Sequence, residues 1–254
     1  MSSAANSTQR PAQAPPREVA RPKSRAPIGA LFAAAIGFMV SIVTSVFIGT
    51  ALEIVGLYTL WPAQGAAHAR QHVDQDLGYI AQFPRAVLVP DTVAFAREMA
   101  DWARWPFDKL GVPVLIQRAA DSKPNATRGR AAEAVRRGYL EMLRWVEVFY
   151  YVAQDTAIRL SVAIFAVPAF CLAMLVGFVD GLVQRDLRKW CGGRESSFVY
   201  HHAKNYTGWF LTGGFALYLA WPFHGFNPTY TVLVLTILVA ISLSVTVAAF
   251  KKYL

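Results

Sequence analysis

The sequence predicts an all-α membrane protein with four transmembrane helices, both termini in the cytoplasm, and a helical region on the other side of the membrane between helices one and two. Hydrophobic residues make up 55% of the chain and charged residues only 16%, whereas a soluble domain has about 25% charged residues. The apolar residues form uncharged blocks long enough for a helix to cross a bilayer. The basic residues concentrate in segments that these blocks separate.

The chain begins with a tail that is predicted to be disordered. Residues 1–27 are rich in Ser, Ala, Pro and Arg, and they carry five basic residues. We therefore expect a basic cytoplasmic tail that buries too little apolar surface to fold. Residues 28–52 have no charge and are assigned to transmembrane helix 1. A signal peptide is the alternative, but its hydrophobic region is only about 7–15 residues long, so a retained helix is favoured.

Residues 53–155 are predicted to form a helical region in the periplasm. They contain 12 basic and 12 acidic residues, so their net charge is zero. Asp91–Thr92 predicts a helix start, and Pro106 is expected to end that helix because proline disrupts a helix interior. A long helix is predicted from about Gly129, and nothing in the sequence interrupts it before the next apolar block. The predicted apolar stripe of the helix that starts at 91 consists of Phe95, Met99 and Trp102.

The rest of the chain is predicted to cross the membrane three more times. The segments are transmembrane helix 2 at 156–179, a basic cytoplasmic loop at 180–206, transmembrane helix 3 at 207–221, a periplasmic turn at 222–228, transmembrane helix 4 at 229–250 and a cytoplasmic tail at 251–254. Pro168 is expected to kink helix 2.

The distribution of basic residues predicts the orientation. Five lie in the N-terminal tail, five in the loop at 180–206 and two in the C-terminal tail, while the turn at 222–228 has none. Cytoplasmic segments carry an excess of Lys and Arg. The three basic segments share that side only if four helices cross.

The sequence lacks the signatures of an active site. It contains no nucleophile-elbow, P-loop or dinucleotide-binding motif, and Gly192-Gly193 is not followed by the GK[ST] of a phosphate loop. We therefore predict a protein that is not an enzyme and has no cofactor. The net charge of +9 is accounted for by the topology, so no direct binding to nucleic acid is expected.

Two charged residues lie near the outer ends of predicted transmembrane helices. Glu53 follows helix 1, and Arg159 lies near the start of helix 2. The favoured interpretation is that both side chains extend to the membrane interface. The alternative is an ion pair between Glu53 and Arg159 that ties the two helices together. Charges within membrane segments are functional candidates.

Two histidines suggest a weak metal-binding hypothesis. His68 and His72 lie four residues apart, with Asp74 and Asp76 close behind, so on a helix the two imidazoles share a face as zinc-binding pairs do. The pattern lacks the glutamate that a HExxH hydrolase uses as its base. The favoured interpretation is an exposed amphipathic helix beside the membrane.

The loop at 180–206 is the predicted partner-binding segment. Its start has an apolar side and a basic side, and basic residues near a membrane attract anionic lipids. The acidic and aromatic residues among the basic ones suit a protein partner as well. Both kinds of contact stay open. The candidate residues are Arg185, Asp186, Arg188, Lys189, Arg194, Glu195 and Tyr200.

The same segment carries a family resemblance. The run GFVDGLVQRDLRKWCGGRESSFVYHHAK at 177–204 resembles the signature of the integrating conjugative element membrane proteins, and the end FKKYL at 250–254 is similar too. These are small multi-pass inner-membrane proteins of Gram-negative bacteria, and their genes usually lie beside the gene of the type IV coupling ATPase. The resemblance implies an accessory subunit that anchors or regulates that ATPase during conjugative DNA transfer. It brings no catalytic residues.

Two other functions remain open for this predicted topology. One is an inner-membrane exclusion or immunity-type protein that blocks redundant transfer. The other is a small channel or transporter, for which a homo-oligomer would have to build the pore because the predicted membrane centres lack charged residues.

Overall fold

The computed structural model describes residues 27–121, 130–191, 202, 205–206, 209, 213–223 and 227–249. The chain divides into two units, residues 1–36 and residues 37–254, and every contact discussed below lies within the second unit. The described residues form helices joined by turns and irregular segments, with no β-strand among them. The predicted all-α class is thereby confirmed.

Eight helices follow one another in these described ranges. They are α1 (Pro27–Thr59), α2 (Ala67–Ala81), α3 (Thr92–Lys109), α4 (Val112–Ala120), α5 (Arg130–Phe165), α6 (Val167–Trp190), α7 (Phe215–Leu219) and α8 (Pro228–Ala248).

Three of these helices are long and apolar enough to cross a membrane. The candidate spans are Ile36–Thr59 within α1, Val167–Trp190, which is α6, and Pro228–Ala248, which is α8. Large apolar side chains on all three are exposed, as expected where lipid covers a helix. These helices indicate membrane association. They overlap the predicted transmembrane helices 1, 2 and 4.

The predicted third transmembrane helix, 207–221, is described only in part. Its described helical residues are Trp209, the π-helical pair Gly213 and Gly214, and α7, which has five residues. A helix needs about 20 residues to cross the bilayer core. The fourth crossing therefore stays a prediction.

A helix boundary falls inside the predicted second transmembrane helix, 156–179. A single residue, Ala166, separates α5 from α6. Pro168 explains the boundary, since proline has no N–H to donate and its ring clashes with the carbonyl four residues before it. The Ala166 N–H still donates to Val162 O at 3.1 Å, and Ala166 O accepts from the Phe170 N–H at 2.9 Å. The expected kink therefore takes the form of a one-residue interruption.

Two glycines hold α6 against α8. A Cβ on Gly177 would overlap the carbonyl oxygen of Ala240, and one on Gly181 would lie 2.6 Å from the carbonyl oxygen of Ser244. Small residues four positions apart let membrane helices approach backbone to backbone. Ser244 Oγ also donates a 2.5 Å hydrogen bond to Asp180 Oδ2. The Gly-x-x-x-Gly spacing of these two residues is the local signal of this contact in the sequence.

The helices α2, α3 and α4 pack against α5. The start of α3 is confirmed, because the Asp91 carboxylate accepts a 2.9 Å hydrogen bond from the Ala94 N–H and so satisfies a donor at the helix start. The predicted end was wrong, since α3 continues through Pro106 to Lys109. Only three helical residues follow Pro106, so the single N–H that proline lacks falls in the last turn of α3.

The predicted apolar stripe of α3 was wrong at its C-terminal end. Trp102 is 74% exposed. The buried side chains of α3 are instead Thr92, Ala96 and Ala100, which recur every fourth position and share one face. Both alanines belong to a core cluster with Ile158 of α5. Small residues thus set the contact between the two helices.

Candidate functional site

Six ionisable side chains are buried between α1, α2 and α5, where they form two adjoining groups. The group that we call the histidine cluster consists of Glu53, His68 and His72. The group that we call the arginine cluster consists of Asp76, Asp155 and Arg159. Each of the six residues is between 2% and 7% exposed. Burying charged groups is costly unless they are paired, so their contacts decide what the site can do.

One face of α2 supplies three of the six residues. His68, His72 and Asp76 recur at every fourth position and are buried with Ile80, because residues four apart lie above one another on a helix. Asp74 points away and is exposed. The two histidines therefore share a face, as the sequence suggested. The favoured interpretation of an exposed helix does not describe them, since both rings are buried.

Glu53 and His68 form the contact between α1 and α2 in the histidine cluster. Glu53 Oε1 lies 2.5 Å from His68 Nδ1. The His68 ring stacks on the indole of Trp61, with ring centroids 3.9 Å apart and planes at 9°. Trp61 is in turn folded over Gly56, where a Cβ would overlap the indole ring. The orientation of His68 is thus fixed from two sides.

His72 is held by the backbone that follows α7. Its Nε2 lies 2.9 Å from the carbonyl oxygen of Pro222. A carbonyl oxygen only accepts, so Nε2 carries the hydrogen, and in the neutral ring the lone pair is on Nδ1. The rings of His68 and His72 meet edge to face, with centroids 5.0 Å apart. The two histidines are therefore neighbours in space with defined ring orientations.

In the arginine cluster, one guanidinium bridges two carboxylates. Arg159 Nε lies 2.8 Å from Asp76 Oδ2 and 3.1 Å from Asp155 Oδ2. Asp155 and Arg159 are one helical turn apart on α5, whereas Asp76 reaches them from α2. The three side chains therefore join these two helices by charge as well as by packing.

Arg159 also binds the backbone at the end of α7. Its Nη1 donates to the carbonyl oxygens of Tyr218 at 3.3 Å and Trp221 at 2.5 Å. The Tyr218 hydroxyl donates back to the carbonyl oxygen of Arg159 at 3.0 Å. Carbonyls at a helix C-terminus lack partners within the helix and attract cations. Arg159 thus fixes α7 onto α5.

The charge of the arginine cluster depends on pH near neutrality. Burial raises the pKa of Asp76 to about 7, the Asp155 carboxylate acts in the same direction, and Arg159 opposes both. Burial also raises the pKa of Asp155, again opposed by Arg159. Two carboxylates share one guanidinium, so the cluster carries one excess negative charge when both are ionised. With its pKa raised to about 7, Asp76 is the member of the cluster expected to gain or lose a proton near neutral pH.

The ion pair between Glu53 and Arg159, the alternative that the sequence left open, is not formed. Glu53 contacts His68, and Arg159 forms ion pairs with Asp76 and Asp155. The physical reason is proximity, because Asp155 is one turn from Arg159 on the same helix and needs no tertiary contact to reach it. Neither Glu53 nor Arg159 extends to the surface, since both are buried.

Four of the seven partner-binding candidates lie at the end of α6. Asp186 and Lys189 are exposed, and Arg185 is half-buried. Arg188 Nη1 donates to the Ala248 carbonyl oxygen at 3.3 Å, so this side chain contributes to the packing of α6 on α8. The other three candidates, Arg194, Glu195 and Tyr200, lie outside the described residues.

Sequence reasoning missed Asp155 and Tyr218 as members of the site. The signal for Asp155 was available: an aspartate four residues before an arginine, beside an apolar block, predicts an i,i+4 ion pair. For Tyr218 no local pattern exists, because its partner lies 59 residues away along the chain.

A sequence model of the family described as "IncC plasmid conjugative DNA transfer protein DtrJ-like" matches residues 60–251. No curated protein and no solved structure matches. The matched range contains every residue of the two clusters except Glu53. The conjugation-related part of the predicted resemblance is confirmed, and its assignment to integrating elements is not tested. The chain belongs to the DtrJ-like family of conjugative DNA transfer proteins.

Proposed function

We propose that this protein is a non-enzymatic accessory subunit of a conjugative type IV secretion apparatus in the bacterial inner membrane, where it anchors or regulates the coupling ATPase. The observation that carries the proposal is the family match across residues 60–251. Three helices apolar enough to span a membrane support a subunit embedded in the bilayer. The sequence signature at 177–204 supports the link to the coupling ATPase.

The proposed topology has four crossings with both termini in the cytoplasm. The basic residues of the loop at 180–206 support it, since Lys and Arg accumulate on the cytoplasmic side. Single-cysteine variants of the full chain, labelled in intact cells with a membrane-impermeant maleimide, test this arrangement. A cysteine at Lys109 should react, and the native Cys191 should react only after the inner membrane is opened. The reverse pattern would contradict the orientation.

The surface proposed to bind the partner is the C-terminal end of α6. Trp190 is 89% exposed, and it lies beside the exposed pair Asp186 and Lys189, whose charged atoms are 3.9 Å apart. An exposed tryptophan flanked by charges of both signs is typical of protein interfaces. Contact with anionic lipids by the same basic residues is part of the proposal, because lysines and arginines close to a membrane surface attract them.

Co-purification with the coupling ATPase tests this surface. The variant Lys189→Glu with Trp190→Ala should lose the ATPase. The matched control is Lys109→Glu with Trp105→Ala, which changes the same residue types at exposed positions of α3 and should retain it. Retention by both variants would exclude the α6 end as the binding surface. Loss in both would contradict a specific contact there.

Transfer assays separate the proposed function from exclusion. Deleting the gene in the donor should lower DNA transfer, and restoring the gene should recover it. If deletion leaves donors unchanged and makes recipients better acceptors, the protein acts in exclusion and the accessory-subunit proposal is wrong.

A further inference from the structure

The histidine cluster has the donor set of a metal site. Glu53, His68 and His72 each offer one ligand atom, and these atoms lie within 4.8 Å of one another. Two imidazoles and one carboxylate are donors that zinc takes in proteins. With bonds of about 2.1 Å, the ligands of a tetrahedral zinc ion are about 3.4 Å apart. The three side chains therefore need shifts on the order of 1 Å to close around a cation.

The protonation and partners of these side chains favour a cation. Glu53 Oε2 is buried and has no hydrogen-bond partner among the described residues, which is costly for a carboxylate oxygen. The hydrogen between Glu53 Oε1 and His68 Nδ1 occupies the position that a cation would take between two ligands. A divalent ion would satisfy both carboxylate oxygens and both rings together.

The contacts around His68 and His72 resemble those that orient the ligands of a metal site. Histidines that bind a metal commonly donate their other N–H to a carbonyl or carboxylate, which fixes the ring. His72 has this arrangement, with Nε2 at 2.9 Å from Pro222 O. The stacked indole of Trp61 fixes the plane of His68. Both rings are therefore oriented by contacts that a metal would not disturb.

A cavity beside the cluster supplies room for a fourth ligand. It measures about 20 Å³ and is lined by Glu53, His72 and Asp155 among others, which is space for about one water molecule. Asp155 Oδ1 is buried without a hydrogen-bond partner among the described residues. A water bound to a metal could donate to a carboxylate in this position.

We propose that Glu53, His68 and His72 bind one divalent transition-metal ion, best matched by Zn²⁺, with a water molecule as the fourth ligand. The ion joins the end of α1 to the first turns of α2. Its role is to fix the first membrane helix to the helical region that follows it.

Metal analysis of the full chain tests the proposal. The protein is purified in detergent without a polyhistidine tag, stripped with a chelator, dialysed against Zn²⁺ and analysed by mass spectrometry. The wild-type chain should hold one zinc ion. Glu53→Gln, which keeps the size of the side chain, and His68→Ala with His72→Ala should hold almost none. Asp74→Asn, an exposed carboxylate on the same helix, should still hold one.

Two further measurements keep the test decisive if a variant fails to fold. Wild-type chain loaded with Co²⁺ should show the visible absorption bands of tetrahedral cobalt, and Zn²⁺ should abolish them. The chain also has two consecutive histidines, His201 and His202. The variant His201→Ala with His202→Ala should leave the spectrum unchanged. A folded wild-type chain without bound metal would overturn the proposal, as would loss of the bands only in the His201 and His202 variant.

Discussion

Replacing Arg159 with methionine removes the cation that neutralises Asp76 and Asp155. The Arg159 side chain is 4% exposed, and its Nε lies 2.8 Å and 3.1 Å from the two carboxylates. Methionine fills much of the same volume but cannot pair with them. Two buried carboxylates would then face each other, and the carbonyls at the end of α7 would lose their donor.

The expected cost follows from burial. Breaking a buried ion pair by removing one partner costs roughly 3–5 kcal/mol, because the remaining charge stays buried. Exposed ion pairs contribute about 0–1 kcal/mol. Arg104 is the matched control, since its Nε also contacts two carboxylates, Asp101 at 3.2 Å and Asp108 at 3.4 Å, but its side chain is 46% exposed. Arg104→Met should therefore cost less than about 1 kcal/mol.

The assay is reversible unfolding in mixed micelles, followed by tryptophan fluorescence and circular dichroism. Arg159→Met should lower the free energy of unfolding several times more than Arg104→Met. Adding Asp76→Asn and Asp155→Asn to Arg159→Met should recover much of the loss, because a neutral triad has no unpaired charge. Equal costs for the two arginine variants, or no recovery in the triple variant, would refute the view that charge pairing holds the cluster together.

Three other predictions concern single positions. Because the pKa of Asp76 rises from 3.8 to about 7 on folding, the folded chain keeps a proton that the unfolded chain has released. The stabilisation from this bound proton is full below about pH 4 and is lost as the pH rises through 7. Over this range the free energy of unfolding should fall by up to about 1.4 kcal/mol per pH unit. Asp76→Asn should flatten that slope when unfolding is measured across the same range. Gly177→Ala should lower the free energy of unfolding by about 1–3 kcal/mol through overpacking, whereas Gly78→Ala, where a Cβ meets nothing within 4 Å, should raise it by roughly 0.5–1 kcal/mol; a destabilised Gly78 variant would contradict the packing argument. Asp91→Ala should cost about 1 kcal/mol by removing the N-cap, and hydrogen exchange of the first amides of α3 should speed up; unchanged exchange would show that the cap contributes nothing.

The long apolar helices could be predicted because their signal is local. In a membrane protein, an uncharged block of about 20 residues is expected to form a transmembrane helix, because a helix satisfies its own backbone hydrogen bonds in lipid. The same holds for the shared face of His68 and His72, which follows from spacing alone. The buried face of α3 could not be predicted in the same way, because hydrophobicity favours Trp102 while close packing against α5 favours Ala96 and Ala100.

The partners of the buried charges were the hardest part to predict. Glu53 and Arg159 were expected to extend to the membrane interface, and an ion pair between them was the alternative, because both are charged residues beside apolar blocks. The pairing in the structure depends on distance, and Asp76 lies 83 residues from Arg159 along the chain. The aspartate at position 76 appeared in the sequence as one of several charges on an ordinary amphipathic helix. Only the fold distinguishes it from the exposed Asp74.

The length of α5 sets a fixed distance between its two ends. At 1.5 Å per residue, its 36 residues span about 54 Å. Its first residue, Arg130, is about 44 Å from Arg159 along the axis, which exceeds the thickness of a bilayer core, about 30 Å. A protein bound near Arg130 would therefore lie at a fixed distance along α5 from the two buried clusters. That distance could be changed only in steps of one residue, each adding 1.5 Å and turning the docking face by about 100°.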